Sequence, residues 1–315
     1  MGKVMRVIVA DPVSVEALER LRSVATVETA YDASRAALLE LVADCDGLIV
    51  RSRTPVDAEL LERADRLKVV GRAGVGLEHV DVAAASKRGV VVVYTPEAST
   101  RAVAELAIGL MLSVERRIAA CDRAIRSEPF EKVRRESLGR SLEGLVLGIV
   151  GMGRIGKAVG RIASVGLGMR VLYNDVVRVG PFDFEAKPVE KAELYERSDV
   201  VSLHVPLTEQ TRSLIDAAAL ARFKPAATLI NTSRGAVVDA AALSAALANG
   251  RLGGAGLDVV DPEPLPLEHA LLRLQNVVLT PHAGAQTTEA QRAMDAVVDD
   301  VIAVLGGRGP RFPAT

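Results

Sequence analysis

Between Leu147 and Gly156 the chain reads LGIVGMGRIG, an apolar run entering three glycines, and this segment restricts the possible fold more than any other. Gly151, Gly153 and Gly156 permit a tight turn, a close approach of backbone to a pyrophosphate, and close packing of the following helix on the strand. The N-terminus of that helix, at Arg154 and Ile155, presents backbone N–H donors to an anion. A second strand-like run, RVLYND, ends in Asp175, near the spacing at which such units place a carboxylate on a ribose 2′-hydroxyl. A carboxylate there accepts from a hydroxyl and repels a phosphate, so NAD is the expected cofactor and is preferred over NADP, with Arg178 three residues on as the opposing charge.

The position of this segment in mid-chain has to be explained. Before it, strand-like runs alternate with helical ones: RVIVAD, TVET, GLIVRS, KVVGRAG and VVVVYTP are separated by segments such as VSVEALERLRS and ASRAALLELVAD. That alternation predicts βα units on a parallel sheet. Val103, Leu106, Leu110 and Val114 then recur at helical spacing, which predicts one long helix over 99–127. Six further strands follow: LGIVG, RVLYND, DVVSLHV, ATLIN, GAGLDV and NVVLT. The last helical segment, 288–305, has no strand left to serve in the second set and is expected to pack back on the first. The expectation is therefore an α/β chain with two doubly wound parallel-sheet domains. A dinucleotide domain at 99–284 is inserted into a first domain made of 1–98 and 285–315. The closing GGRGPRFPAT reads as a frayed tail.

Composition agrees with this architecture. With 3% aromatic residues and no Trp in 315 residues, the interiors are built from Ala, Val, Leu and Ile, which suits helices packed on parallel strands. Lys and Arg (39) nearly balance Asp and Glu (40), and no basic stripe stands out, so neither nucleic acid nor a membrane surface is an expected partner. Cys45 and Cys121 read as packing residues of a reducing compartment and offer no metal spacing. No leader-like or membrane-length apolar stretch is seen, so a soluble cytoplasmic protein is expected.

Three polar residues fall just past strand ends, where open parallel sheets gather ligands: Arg234 in INTSRGAVVD, Glu263 in GLDVVDPEP and His282 in LTPHAGAQT. Together they supply a guanidinium for an anion, a proton carrier, and a carboxylate to hold it. His204 at a strand end is assigned no catalytic part, and His79 and His269 read as loop or helix-surface residues. A second glycine stretch, GRAGVG, follows a strand in the first domain and can bind an anion through its amides.

Taken in order, GIVGMGRIG, Asp175, VVSLHVPLT, INTSRGAVVD, GLDVVDPEP and LTPHAGAQT resemble the D-isomer-specific 2-hydroxyacid dehydrogenases over nearly the whole chain. LIVRSRTPV and VVGRAGVGLEHVD look most like the phosphoglycerate dehydrogenase branch. The resemblance implies a Rossmann NAD domain inserted into a flavodoxin-like substrate domain. It assigns Arg234 to the substrate, Glu263 as partner of His282, and His282 as acid or base. It implies that Asp258 accepts from the nicotinamide carboxamide, and that Val205, Thr232, Ser233 and Gly284 border the cofactor. Gly74, Val75 and Gly76 would hold the substrate carboxylate, and Arg51 and Arg72 a second anionic group. The implied reaction passes a hydride between NAD and C2 of a small 2-hydroxy or 2-oxo acid. D-3-phosphoglycerate is the first expectation, and glyoxylate, hydroxypyruvate or lactate chemistry the alternative. A non-enzymatic NADH-sensing binding protein of the corepressor branch is a further reading. Formate dehydrogenase chemistry is disfavoured because that branch carries Gln where Glu263 stands. Homodimer formation is expected through the apolar stripe of the long helix. Glu78, His79 and Ser99 depart from the branch's usual residues beside the site, and ASVGLGM carries one residue more than usual before Asp175. No serine-responsive regulatory domain is expected after the returning helix.

Overall fold

A parallel strand covered on both faces reads as a near-continuous apolar run, and Val146–Val150 (VLGIV) is buried throughout, as are Gly47–Val50 (GLIV) and, with a polar residue at each end, Thr228–Asn231 (TLIN). These strands belong to two sheets in a computed structural model that describes residues 4–315. The chain divides into two compact units, one running to Ser99 and resuming over Gln286–Thr315, the other spanning Thr100–Ala285.

The first unit holds β1 (Met5–Val9), α1 (Val15–Arg22), β2 (Ala25–Thr29), α2 (Arg35–Leu41), β3 (Gly47–Val50), α3 (Ala58–Arg63), β4 (Val69–Arg72), α4 (Val82–Lys87) and β5 (Val91–Tyr94). Its sheet is parallel in the order β2-β1-β3-β4-β5, the flavodoxin-like winding. Ser14, Ser34, Asp57 and Asp81 each cap a helix by accepting from the N–H three residues on. Such caps contribute about 1 kcal/mol each.

The second unit begins with α5 (Thr100–Glu115), α6 (Ile118–Ala124) and α7 (Phe130–Glu136). It continues through β6 (Val146–Val150), α8 (Arg154–Arg161), β7 (Arg170–Asn174), β8 (Ala186–Pro188), α9 (Lys191–Arg197), β9 (Val200–Leu203), α10 (Ala217–Arg222), β10 (Thr228–Asn231), α11 (Ala240–Ala248), β11 (Gly254–Leu257) and β12 (Val277–Leu279). The sheet order is β12-β11-β10-β9-β6-β7-β8, all parallel. Counted from β6, this is the 3-2-1-4-5-6 order of a dinucleotide-binding sheet with one more strand beside the sixth. The first unit closes with α12 (Thr288–Asp295) and α13 (Val297–Leu305), and α13 packs on β3, β4, β5 and α1.

Several features differ from the sequence expectation, each for a local reason. The helix expected over 99–127 stops at Glu115, because the Arg140 N–H takes the Glu115 carbonyl at 2.9 Å and Arg117 turns left-handed at φ 54°. The apolar stripe of α5 is covered by its own unit. Val114 and Leu110 rest on Gly254 and Gly256 of β11, where a Cβ would meet them at 2.5 and 2.9 Å. The sheet has seven strands rather than six, since the short edge strand β8 carries no alternating pattern and ends in Pro188. The tail is paired rather than frayed: Tyr94 N–H donates to Phe312 O and Ala314 N–H to Val92 O, satisfying the open edge of β5. Helix α8 runs on into a π-helical turn over Ile162–Gly166, within the ASVGLGM segment.

Among the described residues no helix is long and apolar enough to cross a membrane, and no group of three His, Cys, Asp or Glu is placed to hold a metal ion. The buried acid at the α5 break is Glu115, 5% exposed, which accepts both a bidentate Arg140 fork at 2.8 Å and the Thr228 hydroxyl at 2.6 Å. Replacing Arg140 with Ala strands that carboxylate, so chemical denaturation should show a loss of about 3 kcal/mol; a loss under about 0.5 kcal/mol, the level of an exposed pair, would contradict the assignment.

Candidate active site

In most of the capped helices a Ser, Thr or Asp side chain closes the N-terminus, but α8 opens on Gly153, which has no side chain to do so. Gly153 keeps the space above its backbone clear: a Cβ built there meets nothing within 4 Å. Gly151 sits at φ 92°, and a Cβ on it would strike the His204 carbonyl at 2.5 Å. A Cβ on Gly156 would lie 2.2 Å from Gly151 O, so the helix could not pack where it does. Asp175 follows β7, and its Oδ2 accepts from the Met152 N–H at 2.7 Å, tying the second strand to the glycine turn. Gly151, Gly153, Asp175 and Val205 line one cavity of about 490 Å³ beyond the ends of β6, β7 and β9. Arg154 and Ile155 form the first turn of α8 beside it. The Thr232 hydroxyl, on a residue 8% exposed, has no hydrogen-bond partner within the protein. A clear glycine backbone, an uncapped helix start and an unused buried hydroxyl fit NAD.

The expected polar triad lies on three loops that follow neighbouring strands, and hydrogen bonds lace those loops together. At the end of β10, Asn231 Oδ1 accepts from the Ser233 N–H and hydroxyl, while its Nδ2 donates to Arg234 O. This Asx-type turn shapes the Thr232–Ser233–Arg234 segment, and Arg234 Nη1 donates to Ser233 O at 2.7 Å. Gly235 then touches the next loop so closely that a Cβ would fall 2.0 Å from the Val260 carbonyl. After β11, the loop carries Asp258 and Glu263. After β12 comes His282, whose N–H donates to Asp258 O at 2.8 Å. His282 Nδ1 and Glu263 Oε1 are 2.8 Å apart, with both side chains about half exposed. That contact fixes the imidazole and leaves Nε2 free of it. Gly284 lies between Asp258 Oδ2 and Val103, where a Cβ would meet them at 3.0 and 3.1 Å.

Arg51, Arg72, Gly74, Val75 and Gly76 belong to the first unit. Arg51 directly follows β3 and Arg72 ends β4, and the register pairs Val50 with Arg72, so both arginines lie at one end of that sheet. The Arg51 guanidinium donates to Pro12 O and to Gln291 Oε1. Arg72 folds over the loop, with Nη1 at 1.1 Å from where a Gly74 Cβ would sit, and Gly74 adopts φ 150°. Of the residues not singled out from sequence, Asn231 shapes the turn that carries Arg234; an Asn as the last residue of a strand and before T-S-R-G is the signal for it. His269 caps a short helical turn, accepting from Leu271 N–H at 3.3 Å.

His204 lines the same cavity as Asp175, with Nε2 2.9 Å from Ser202 Oγ. Burial penalises its cationic form and pushes its pKa down to about 4. The unfolded imidazole titrates near 6.5, so as pH falls the unfolded chain takes up the proton first. Stability from this group is complete above about pH 6.5 and is lost as pH falls toward 4. Denaturation of His204→Asn should lack that part of the acid-side decline, and equal slopes in variant and native protein would contradict it.

The profile of the D-isomer specific 2-hydroxyacid dehydrogenase NAD-binding domain matches residues 108–284. A glyoxylate reductase of Korarchaeum cryptofilum is 44% identical over 284 residues, covering 88% of this chain and 85% of that protein. A D-3-phosphoglycerate dehydrogenase of Methanocaldococcus jannaschii is 39% identical over 95% of this chain, which spans 57% of that enzyme's length. The crystal structure of the TT0316 protein from Thermus thermophilus superposes with a TM-score of 0.90 at 42% identity, covering 99% of this chain and all of that one. The chain belongs to the D-isomer-specific 2-hydroxyacid dehydrogenase family, NAD-dependent oxidoreductases acting on small 2-hydroxy and 2-oxo acids.

Proposed function

We propose that His282 is the acid–base group of this enzyme, Glu263 its partner and Arg234 the anchor of the substrate carboxylate, and that the substrate is a glyoxylate- or hydroxypyruvate-sized 2-oxo acid. The observation that carries this reading is the 2.8 Å contact between His282 Nδ1 and Glu263 Oε1, on loops after adjacent strands of the sheet that also bears the glycine turn. NADH, when bound, supplies the hydride that reduces the carbonyl carbon. His282 Nε2 delivers a proton to the developing alkoxide oxygen and takes it back in the oxidative direction. Glu263 accepts from Nδ1, so the neutral ring keeps its exchangeable position at Nε2, and the carboxylate stabilises the imidazolium. Arg234 offers a planar fork to the carboxylate and polarises the carbonyl.

Toward the cofactor, Gly151, Gly153, Arg154, Ile155 and Gly156 would hold the pyrophosphate. Asp175 would take the adenosine ribose. Val205, Thr232, Ser233, Asp258 and Gly284 would border the nicotinamide end, and one acceptor position on Asp258 Oδ2 beyond its Gly284 N–H suits the carboxamide. Residues 99–284 would thus serve as the cofactor domain, and 1–98 with 285–315 as the substrate domain. Within the substrate domain, the amides of Gly74, Val75 and Gly76 would serve as anion donors.

The substrate preference follows from the relatives: the glyoxylate reductase matches at higher identity than the phosphoglycerate dehydrogenase. Arg51 donates to Pro12 O and Gln291 Oε1 within its own unit. D-3-phosphoglycerate remains the second reading because Arg51 and Arg72 share one end of their sheet. Initial rates with glyoxylate, hydroxypyruvate, pyruvate and D-3-phosphoglycerate, each with both nicotinamide cofactors, should give the highest kcat/KM with one of the first two and NADH. A preference for D-3-phosphoglycerate would reverse the substrate assignment. NADH binding without turnover on any of them would point to a sensing role instead. His282→Asn should lower kcat by about 10²- to 10⁴-fold with NADH affinity near native; equal loss of both would make the residue structural.

We read the enzyme as cytoplasmic, both cysteines being free thiols, and as a homodimer. With α5 covered, support for the dimer shifts to the exposed apolar side chains Ile118, Ile125, Phe130 and Leu138 around α6 and α7. Light scattering at micromolar concentration should return twice the chain mass, and a monomer mass would contradict it.

A further inference from the structure

His282 is held at φ 52°, a left-handed backbone that an L-residue with a bulky side chain adopts only when its surroundings impose it. What imposes it is the loop's attachment to Asp258. That residue is 2% exposed, and a carboxylate so deeply placed needs donors for its lone pairs. Oδ1 accepts from the Thr280 hydroxyl at 2.6 Å and from the Ala283 N–H at 2.7 Å. Oδ2 accepts from the Gly284 N–H at 2.9 Å, while the Asp258 carbonyl accepts from the His282 N–H at 2.8 Å. The turn bearing the imidazole is therefore hung on one residue from both sides: Thr280 two residues before it, Ala283 and Gly284 directly after. Three of these four attachments are backbone N–H groups, which any substitution other than proline leaves in place. Thr280 Oγ1 is the one side-chain donor, and it makes the shortest of the bonds.

We propose that Thr280 is a positioning residue for the reaction: by donating to Asp258 Oδ1 it fixes the rotation of that carboxylate, and through it the turn that aims His282. This rests on the reading of His282 as the acid–base group. Without the hydroxyl, Asp258 Oδ1 keeps a single donor and the carboxylate is free to rotate toward the remaining N–H groups. The His282 turn then loses one of the contacts that hold its left-handed backbone, and the imidazole samples positions displaced from the substrate oxygen. A displacement of about 1 Å is enough to cost on the order of 100-fold in turnover.

The test compares Thr280→Val, which keeps the side-chain shape, with Thr280→Ser, which keeps the hydroxyl. The Val variant should lose about 10- to 100-fold in kcat while substrate KM changes little and NADH affinity, read by fluorescence titration, falls by much less than kcat, because Asp258 Oδ2 keeps its Gly284 N–H. The dependence of kcat on pH should change with it, because an imidazole displaced with its turn is also displaced against the Glu263 carboxylate, and Thr280→Ser should keep the native rate and profile. Thr280→Ala, which adds no second methyl beside the loop, is the companion variant and should repeat the loss if the Val protein does not fold. A Val or Ala variant with native kcat would overturn the proposal. So would a Ser variant as impaired as the Val one, or a loss that merely follows the folded fraction with an unmoved pH profile. Measured alongside, His282→Asn separates the two claims: full turnover in that variant sinks the acid–base reading itself, whereas its loss together with an unaffected Thr280→Val sinks only the positioning role.

Discussion

A parallel sheet delivers the C-terminal end of every strand to one edge, and that constraint assembles the site. Gly151 after β6, Asp175 after β7, His204 after β9, Thr232 after β10, Asp258 after β11 and His282 after β12 are spread over more than a hundred residues of sequence. They share one edge because the strands that carry them run the same way. Hydrogen bonds then extend the ladder past the strands: His204 N–H to Val150 O, Gly151 N–H to Asn174 O, Asp258 N–H to Asn231 O and Thr280 N–H to Leu257 O. The loops leave the sheet in register, and side chains one or two residues further on inherit that order.

Two buried acids in the second unit show different solutions to the same cost. Glu115, at the foot of the sheet, accepts from a guanidinium and a hydroxyl. Asp258, at the functional edge, is surrounded by neutral donors, two of them backbone N–H groups. The first arrangement ends a helix and anchors the returning chain. The second commits its hydrogen bonds to a single turn, the one that carries His282.

Much of this was legible in the sequence, and the exceptions have a common cause. The βα alternation, the glycine turn, Asp175 and the strand-end residues Arg234, Glu263 and His282 are each written in local residue order, and the two parallel sheets follow from them. The break at Glu115 was not legible, because it is made by Gly139 and Arg140 returning from far along the chain, with neither Gly nor Pro at the break itself. The pairing of the tail with β5 is likewise a long-range event, since RFPAT carries no strand pattern and acts only because β5 is an edge. β8 was invisible for being three residues long. The π turn over Ile162–Gly166 carries no Gly or Pro signal at its start and was not legible. Asn231 was readable as an Asx-turn former, yet its importance appears only once Gly235 is seen pressed against Val260.

The central claim is that the imidazole of His282, oriented by Glu263, meets the reacting oxygen of a 2-hydroxy or 2-oxo acid. It is tested most directly by a crystal structure of the protein with NAD and an unreactive 2-oxo acid analogue. The account predicts His282 Nε2 within about 3.2 Å of the analogue's C2 oxygen, with Nδ1 still on Glu263. An oxygen held by another side chain, with His282 turned away from it, would contradict the account.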